Sequence, residues 1–146
     1  MNLYRINKNI IFLVSQKALI EKRKRLLILK NSLDQKWELP GGFIEVNENL
    51  TAALKRETRE ETRLKIGIGK PISTSVHWHK NFKLADGRTV NARVVKICYY
   101  CSYISGNISL SSEHTDYVWV PKNGLKNYRF AANSQFAINS YLRGAK

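Results

Sequence analysis

The chain is 146 residues long, 43% apolar and 25% charged, a balance that excludes a disordered polymer and is expected of one globular domain over residues 1–146. No apolar run reaches the length of a membrane span. The short run "IIFLV" passes into polar sequence without the pattern of a secretory leader, so a cytoplasmic location is expected.

The net charge of +14 is unevenly spread. Residues 1–36 carry nine basic and two acidic side chains, residues 65–112 seven and one, and residues 113–146 five and two. Residues 37–64 carry four and six, the only net-negative stretch. An acidic island in a basic field suits a protein that handles phosphate esters or nucleotides; nucleic acid is the weaker alternative, because no recognition helix or base-stacking motif is evident.

In chain order, residues 9–20 and 25–30 are β-rich and flank the charged turn "EKRKR", which predicts a hairpin. "WELPGGFIE" reads as a loop, with Pro40 as punctuation and Gly41-Gly42 permitting a tight path. A helix follows over residues 50–64, with Asn47 or Asn49 as its N-cap. Residues 72–82 and 89–105 read as long strands around "ADGR", and "DYVWVP" as a short strand. Residues 131–143 read as a closing helix with Phe136, Ile138 and Leu142 inward. Together these elements predict an α/β (α+β) fold: a mixed β-sheet sandwiched between α-helices. Cys98 and Cys101 have the spacing of a zinc or redox pair that His77 and His79 would complete. On a strand, however, a spacing of three puts the two thiols on opposite faces, so ordinary buried cysteines are expected.

The first helix carries the sharpest signal. Its i, i+3, i+4 stripe runs through Leu50, Ala53, Leu54, Glu57, Glu60, Glu61 and Leu64, apolar at both ends with three acids between. Exposed i,i+4 ion pairs do not account for them: Arg56–Glu60 attracts, but Lys55–Arg59, Glu57–Glu61 and Arg59–Arg63 repel. Crowded carboxylates in a partly dry site need a counter-charge, and a hard dication shared with substrate phosphates supplies it. Glu48, ahead of the helix, is expected to pair with Arg56 and lock the loop down.

Gly42, Glu48, Arg56, Glu57, Glu60 and Glu61 fall on the spacing G-x5-E-x7-R-E-U-x-E-E-x-G-U, where U is a bulky aliphatic. On these residues, on "WELPGG" and on "SSEHTDYVWVP", the chain resembles the Nudix hydrolases from about residue 9 to residue 142. Thr58 stands where an aliphatic is usual and Arg63 where glycine is usual, departures that bear on packing and the helix exit. The resemblance implies the Nudix fold and hydrolysis of a nucleoside diphosphate derivative by water attack at phosphorus. It implies Mg²⁺, with Mn²⁺ as a substitute, on Glu57, Glu60, Glu61 and the Gly41 carbonyl, and Gly42, Glu48 and Arg56 in support. The general base is either Glu57 or Glu113, and Glu113 has a second reading as a further metal ligand. Trp37, Trp78, Phe82, Tyr128 and Phe130 are candidates to stack on a base, and Arg23, Arg25, Arg88 and Arg93 to reach phosphates. Markers of the ADP-ribose and dinucleoside polyphosphate subfamilies are not evident, and a likeness of "YRFAANSQF" to GDP-mannose mannosyl hydrolases is architectural, with Ala131 where that group carries a histidine. The alternatives are a non-catalytic Nudix module that binds a nucleotide or RNA, and, as for many relatives, assembly as a homodimer.

Overall fold

The computed structural model describes residues 10–145. The predicted strand start at Asn9 lies outside them. Strands β1 (Ile10–Lys22) and β2 (Arg25–Asn31) meet at Arg23 and Lys24, both with positive φ, the geometry of a two-residue hairpin turn whose twist suits the flanking strands. The hairpin is brief. Only Glu21↔Leu26 and Lys22↔Arg25 pair before the strands separate. β1 then runs parallel to β5 (Thr89–Ser105) from Ile10↔Asn91 to Glu21↔Ser102, while β2 pairs antiparallel with β6 (His114–Pro121). A two-residue strand β3 (Trp37–Glu38) joins β2 beyond the point of separation.

The separation positions the site. The edge that β2 vacates on β1 is taken by the glycine loop, whose backbone bonds β1 like a surrogate strand: Ala18 N–H to the Pro40 carbonyl at 2.8 Å, Gln16 N–H to that of Gly42 at 2.8 Å, and Ile44 N–H to that of Val14 at 3.1 Å. Gly41 sits here with φ +139, and a Cβ would meet the Gln16 carbonyl oxygen at 2.1 Å, so only glycine fits.

β4 (Lys65–Lys83) and β5 form the predicted hairpin around "ADGR", and β4 starts earlier than residue 72. Gly67, Gly69 and Pro71 suggest a break in the sequence, but register shifts between Ile68 and Ser73 absorb them without ending the strand. A 3₁₀ turn over Lys122–Asn127 follows β6 and was not legible in the sequence.

The sheet lies between the helices α1 (Leu50–Thr62) and α2 (Ala132–Leu142), as predicted. Strand alternation divides the core: Leu19, Leu26, Ile28 and Cys98 pack with α2, and Ala18, Ile20, Leu27, Leu29 and Cys101 pack with α1. The two cysteines therefore lie on opposite faces as free thiols, and burial pushes both thiol pKa values up, Cys101 to about 12. In α2 the buried stripe is Ser134, Ala137, Ile138 and Tyr141, with Phe136 half-buried against it. Leu142, predicted inward, is 43% exposed, because it stands one residue round the helix from Tyr141, whose hydroxyl donates to Glu21 at 2.7 Å.

Candidate active site

Helix α1 begins at Asn49, whose side chain accepts the Ala52 N–H at 2.8 Å, deciding between the two predicted caps. Burial narrows the predicted inward stripe. Ala53, Leu54, Thr58 and Glu61 face the sheet, and Leu64 is buried just past the helix end. The Glu57 side chain is 20% exposed, and that of Glu60 58%. Glu60 is a correction to the stripe: one position from Glu61, about 100° round the helix, it points to the rim, and Leu50 is exposed beside the cap.

The expected ion pair is present and extended. Arg56 donates to Glu48 through Nε at 2.6 Å and Nη2 at 2.9 Å, a bidentate grip that holds the glycine loop to α1. It also donates from Nη1 to Glu57 at 2.9 Å and to Glu60 at 3.2 Å, and from Nη2 to the Phe43 carbonyl at 3.4 Å. The Arg56 guanidinium holds the Glu48 carboxyl down at about 2.

The two glycines serve the two deeper acids. A Cβ on Gly42 would stand 2.6 Å from the Glu57 carboxyl carbon, so the missing side chain is the space the carboxylate occupies. Gly41 donates its N–H to Glu61 Oε2 at 2.8 Å, so its observed contact with the site is through nitrogen. Burial raises the Glu57 carboxyl above its ordinary value against the pull of Arg56, and the charges of Glu60 and Glu113 add to the rise. Burial likewise pushes Glu61, 5% exposed, up to about 7, opposed by the charge of Lys17 and the Gly41 bond. Glu113 comes from the loop before β6. Ligand atoms of Glu61, Glu113 and His114 lie within 4.8 Å of one another.

Beneath lies a polar layer built on Glu38. Its carboxylate meets His114 Nε2 at 2.8 Å, Asn133 Nδ2 at 2.8 Å and Asn31 Nδ2 at 3.1 Å, with Lys17 Nζ at 3.7 Å. Burial opposes ionisation of Glu38, but these donors and Lys17 outweigh it and hold the carboxyl far below its usual range. An ionised carboxylate only accepts, so Nε2 of His114 carries a proton, and Nδ1 is buried without a partner. Lys17 Nζ also donates to the Leu39 carbonyl at 2.9 Å, and Ser134 links the Leu39 N–H to Asn133, tying the glycine loop to α2.

Above this layer opens a cavity of about 460 Å³ lined by Glu57, Glu61, Glu113, Lys17, Lys96 and His79 together with Gly41, Gly42 and Phe43. Oxygen donors from two separate segments, two of them raised above the ordinary carboxylate range by burial, fit a hard dication such as Mg²⁺ or Mn²⁺. None of the four predicted arginines lines the cavity. Arg23 is in the β1–β2 turn, Arg25 bonds the Trp119 carbonyl, Arg88 pairs with Asp86, and Arg93 stacks on Trp78 at 4.6 Å on the far sheet face. The cations lining the cleft are Lys17 and Lys96; the sequence signal for Lys96 was a lysine set between apolar neighbours in a strand, whereas Lys17, between Gln16 and Ala18, had no such signal. Lys96 is buried, and burial lowers its pKa. Of the predicted aromatics, Trp37, Tyr128 and Phe130 belong to the core and Trp78 faces away. Phe82 meets Phe43 edge-on at 6.0 Å and His79 at 6.4 Å, so Phe43 and His79 line the cleft with Phe82 packed against both. His77 bonds Ser75 and lies near Phe136 under α2.

The family model described as NUDIX domain matches residues 8–138. A nucleoside triphosphatase, NudI, of Klebsiella pneumoniae (strain 342) is 28% identical over 127 residues, covering 83% of this chain and 90% of that protein. The crystal structure of a MutT protein from Methanosarcina mazei Go1 superposes with a TM-score of 0.69 at 27% identity, over 90% of this chain and 91% of that one. An ADP-ribose pyrophosphatase from Streptococcus suis 89-1591 has a TM-score of 0.66 at 17% identity over 92% and 93%, a likeness of fold alone.

Proposed function

The chain belongs to the NUDIX family, and from that premise we propose that residues 1–146 form one metal-dependent diphosphohydrolase acting on a nucleoside diphosphate derivative, a nucleoside triphosphate, nucleotide sugar or similar. The observation that carries the reading is the convergence of Glu57 and Glu61 of α1 with Glu113 of a distant loop on one cavity that also holds the buried cation Lys96. Glu57, Glu61 and Glu113 would hold Mg²⁺ or Mn²⁺, with Glu60 at the rim and Gly41 orienting Glu61 through its N–H. Held there, a dication would supply charge neutralisation for the phosphoryl oxygens and a lowered pKa for the attacking water.

The remaining work falls to the chain. Lys96 and Lys17 attract and orient the phosphates from the cavity floor. Phe43, Phe82 and His79 offer flat apolar surface to the base, in keeping with a nucleotide as the small-molecule substrate. Glu57 or Glu113 accepts the proton of the attacking water, and their raised or rim-exposed positions leave either able to do so. Glu48 and Arg56 hold the loop so that Gly42 leaves the space Glu57 fills. Among the described residues no helix is long and apolar enough to cross a membrane.

The test is a panel of nucleoside triphosphates, nucleotide sugars, ADP-ribose and dinucleotides incubated with the protein and Mg²⁺. Release of phosphate, pyrophosphate or nucleoside monophosphate from at least one class, lost in Glu57→Gln and Glu61→Gln, is the expected result. A folded protein that turns over none of them is a nucleotide-binding module instead.

A further inference from the structure

The cations and acids of α1 are segregated. Its acids are drawn to one side, where among the described residues Arg56 is the cation within 4.0 Å of Glu57 and Glu60 and of Glu45 and Glu48 in the preceding loop. On the other flank Lys55, Arg59 and Arg63 follow one another at i,i+4 steps, about 6 Å of axial rise each, and Lys65 opens β4 beside them. All four are exposed, and among the described residues none forms an ion pair with a carboxylate. They line a cavity of about 480 Å³ whose apolar wall includes the exposed Ile104, and among the described residues none lines both this cavity and the catalytic cleft.

Two features of this flank work against stability. The steps Lys55–Arg59 and Arg59–Arg63 place like charges together, which is unfavourable on a helix surface. Arg63 is the helix C-cap in the left-handed region, φ 65, where a residue with a Cβ is disfavoured against glycine. Favourable interaction with the helix dipole accounts for a cation in the last turn, but not for four cations without an acid. An anion with several charges removes the repulsion and gives the strained Arg63 a partner.

We propose that this flank is a second binding site, separate from the catalytic cleft, for a run of phosphate groups as carried by single-stranded nucleic acid. The cation ladder would follow successive phosphates, and Ile104 would meet a sugar or base.

The experiment uses the full chain in EDTA, so that turnover does not intervene, and follows the anisotropy of a short fluorescein-labelled single-stranded RNA over a range of salt. Two variants are compared: Lys55→Gln/Arg59→Gln/Arg63→Gly/Lys65→Gln, and a control of equal charge change, Arg23→Gln/Lys24→Gln/Lys126→Gln/Arg129→Gln. The flank variant is expected to bind at least about tenfold more weakly at low salt and to lose roughly 0.7 from the salt slope per cation removed, while the control keeps most of its affinity. Thermal melts check folding, and Lys55→Gln/Arg59→Gln, which leaves the helix exit intact, is expected to show about half of the slope change. Displacement of the RNA from the wild type by inorganic tripolyphosphate at comparable concentration would identify a free phosphate chain as the ligand; no displacement identifies the nucleic-acid backbone. Equal losses in the flank and control variants, or no RNA binding by the wild type at low salt, overturns the proposal.

Discussion

Glu38 and Glu61 are both buried in the same site, and their surroundings drive them in opposite directions. Glu38 has hydrogen-bond donors on three sides with Lys17 beside it, and stays ionised in the dark of the protein. Glu61 has one backbone N–H, and burial carries it up to about 7 from an ordinary 4.5. The difference separates a strut from a seat. A carboxylate whose charge the fold has already balanced contributes to stability, whereas one left short of donors is completed by something that arrives later.

The largest effects should follow from removing the seat. Glu57→Gln and Glu61→Gln are each expected to lower kcat by about 10²–10³-fold or more with folding intact, as read by substrate turnover under saturating Mg²⁺. Next comes the strut. Glu38→Gln removes the negative charge and turns one of the two acceptor oxygens shared by His114, Lys17 and two amides into a donor, and is expected to lose about 2–4 kcal/mol at pH 7 by denaturant unfolding. Its folded carboxyl lies far below its unfolded value, so the contribution is full above pH 4.5 and fades as the pH falls below that; the gap between wild type and variant should narrow by pH 3 without closing.

The sign reverses for Glu61. Its folded carboxyl lies above the unfolded one, so in the metal-free protein its ionisation opposes folding above about pH 7 and not below 4.5. Metal-free Glu61→Gln should therefore be more stable than wild type at pH 8, on the order of 1–3 kcal/mol, and lose that advantage by pH 5. A Glu61→Gln variant that is destabilised at pH 8 in EDTA would make both carboxylates struts.

The smallest effects concern the two departures from the family pattern. Thr58 is fully buried on α1, and its hydroxyl has no partner. Thr58→Val should stabilise by about 1 kcal/mol in a thermal melt without changing kcat. Arg63→Gly should give somewhat less, since the relief of the left-handed backbone is partly offset by a more flexible unfolded chain.

Much of this site was legible because its chemistry is local in sequence. Gly42, Glu48, Arg56, Glu57 and Glu61 lie within one loop and one helix; the helix period picks out Glu57 and Glu61, and the spacing shared with the family picks out Gly42, Glu48 and Arg56. The sheet between two helices was legible for the same reason, from alternation and turn residues. What was hidden depends on pairing across the chain. Nothing near Lys96 announces that β5 runs beside β1 and brings it to the cleft floor. Glu38 reads as one letter of a loop until His114 and Asn133 are folded onto it. The helix period also over-reached at Glu60, because seven positions at i, i+3 and i+4 span more of a helix than a flat sheet covers. Phe43 was passed over as a loop residue, although the loop's strand-like bonding to β1 fixes it against Phe82.

The central claim is that the acids of α1 and Glu113 are completed by a dication. Titration of Mn²⁺ into the metal-free protein, followed by electron paramagnetic resonance of the free ion, tests it without a substrate. The account predicts that wild type takes up at least one ion per chain, displaced by Mg²⁺, and that Glu57→Gln/Glu61→Gln takes up none in the same range while Glu60→Gln loses less. Equal uptake by wild type and the double variant would contradict it.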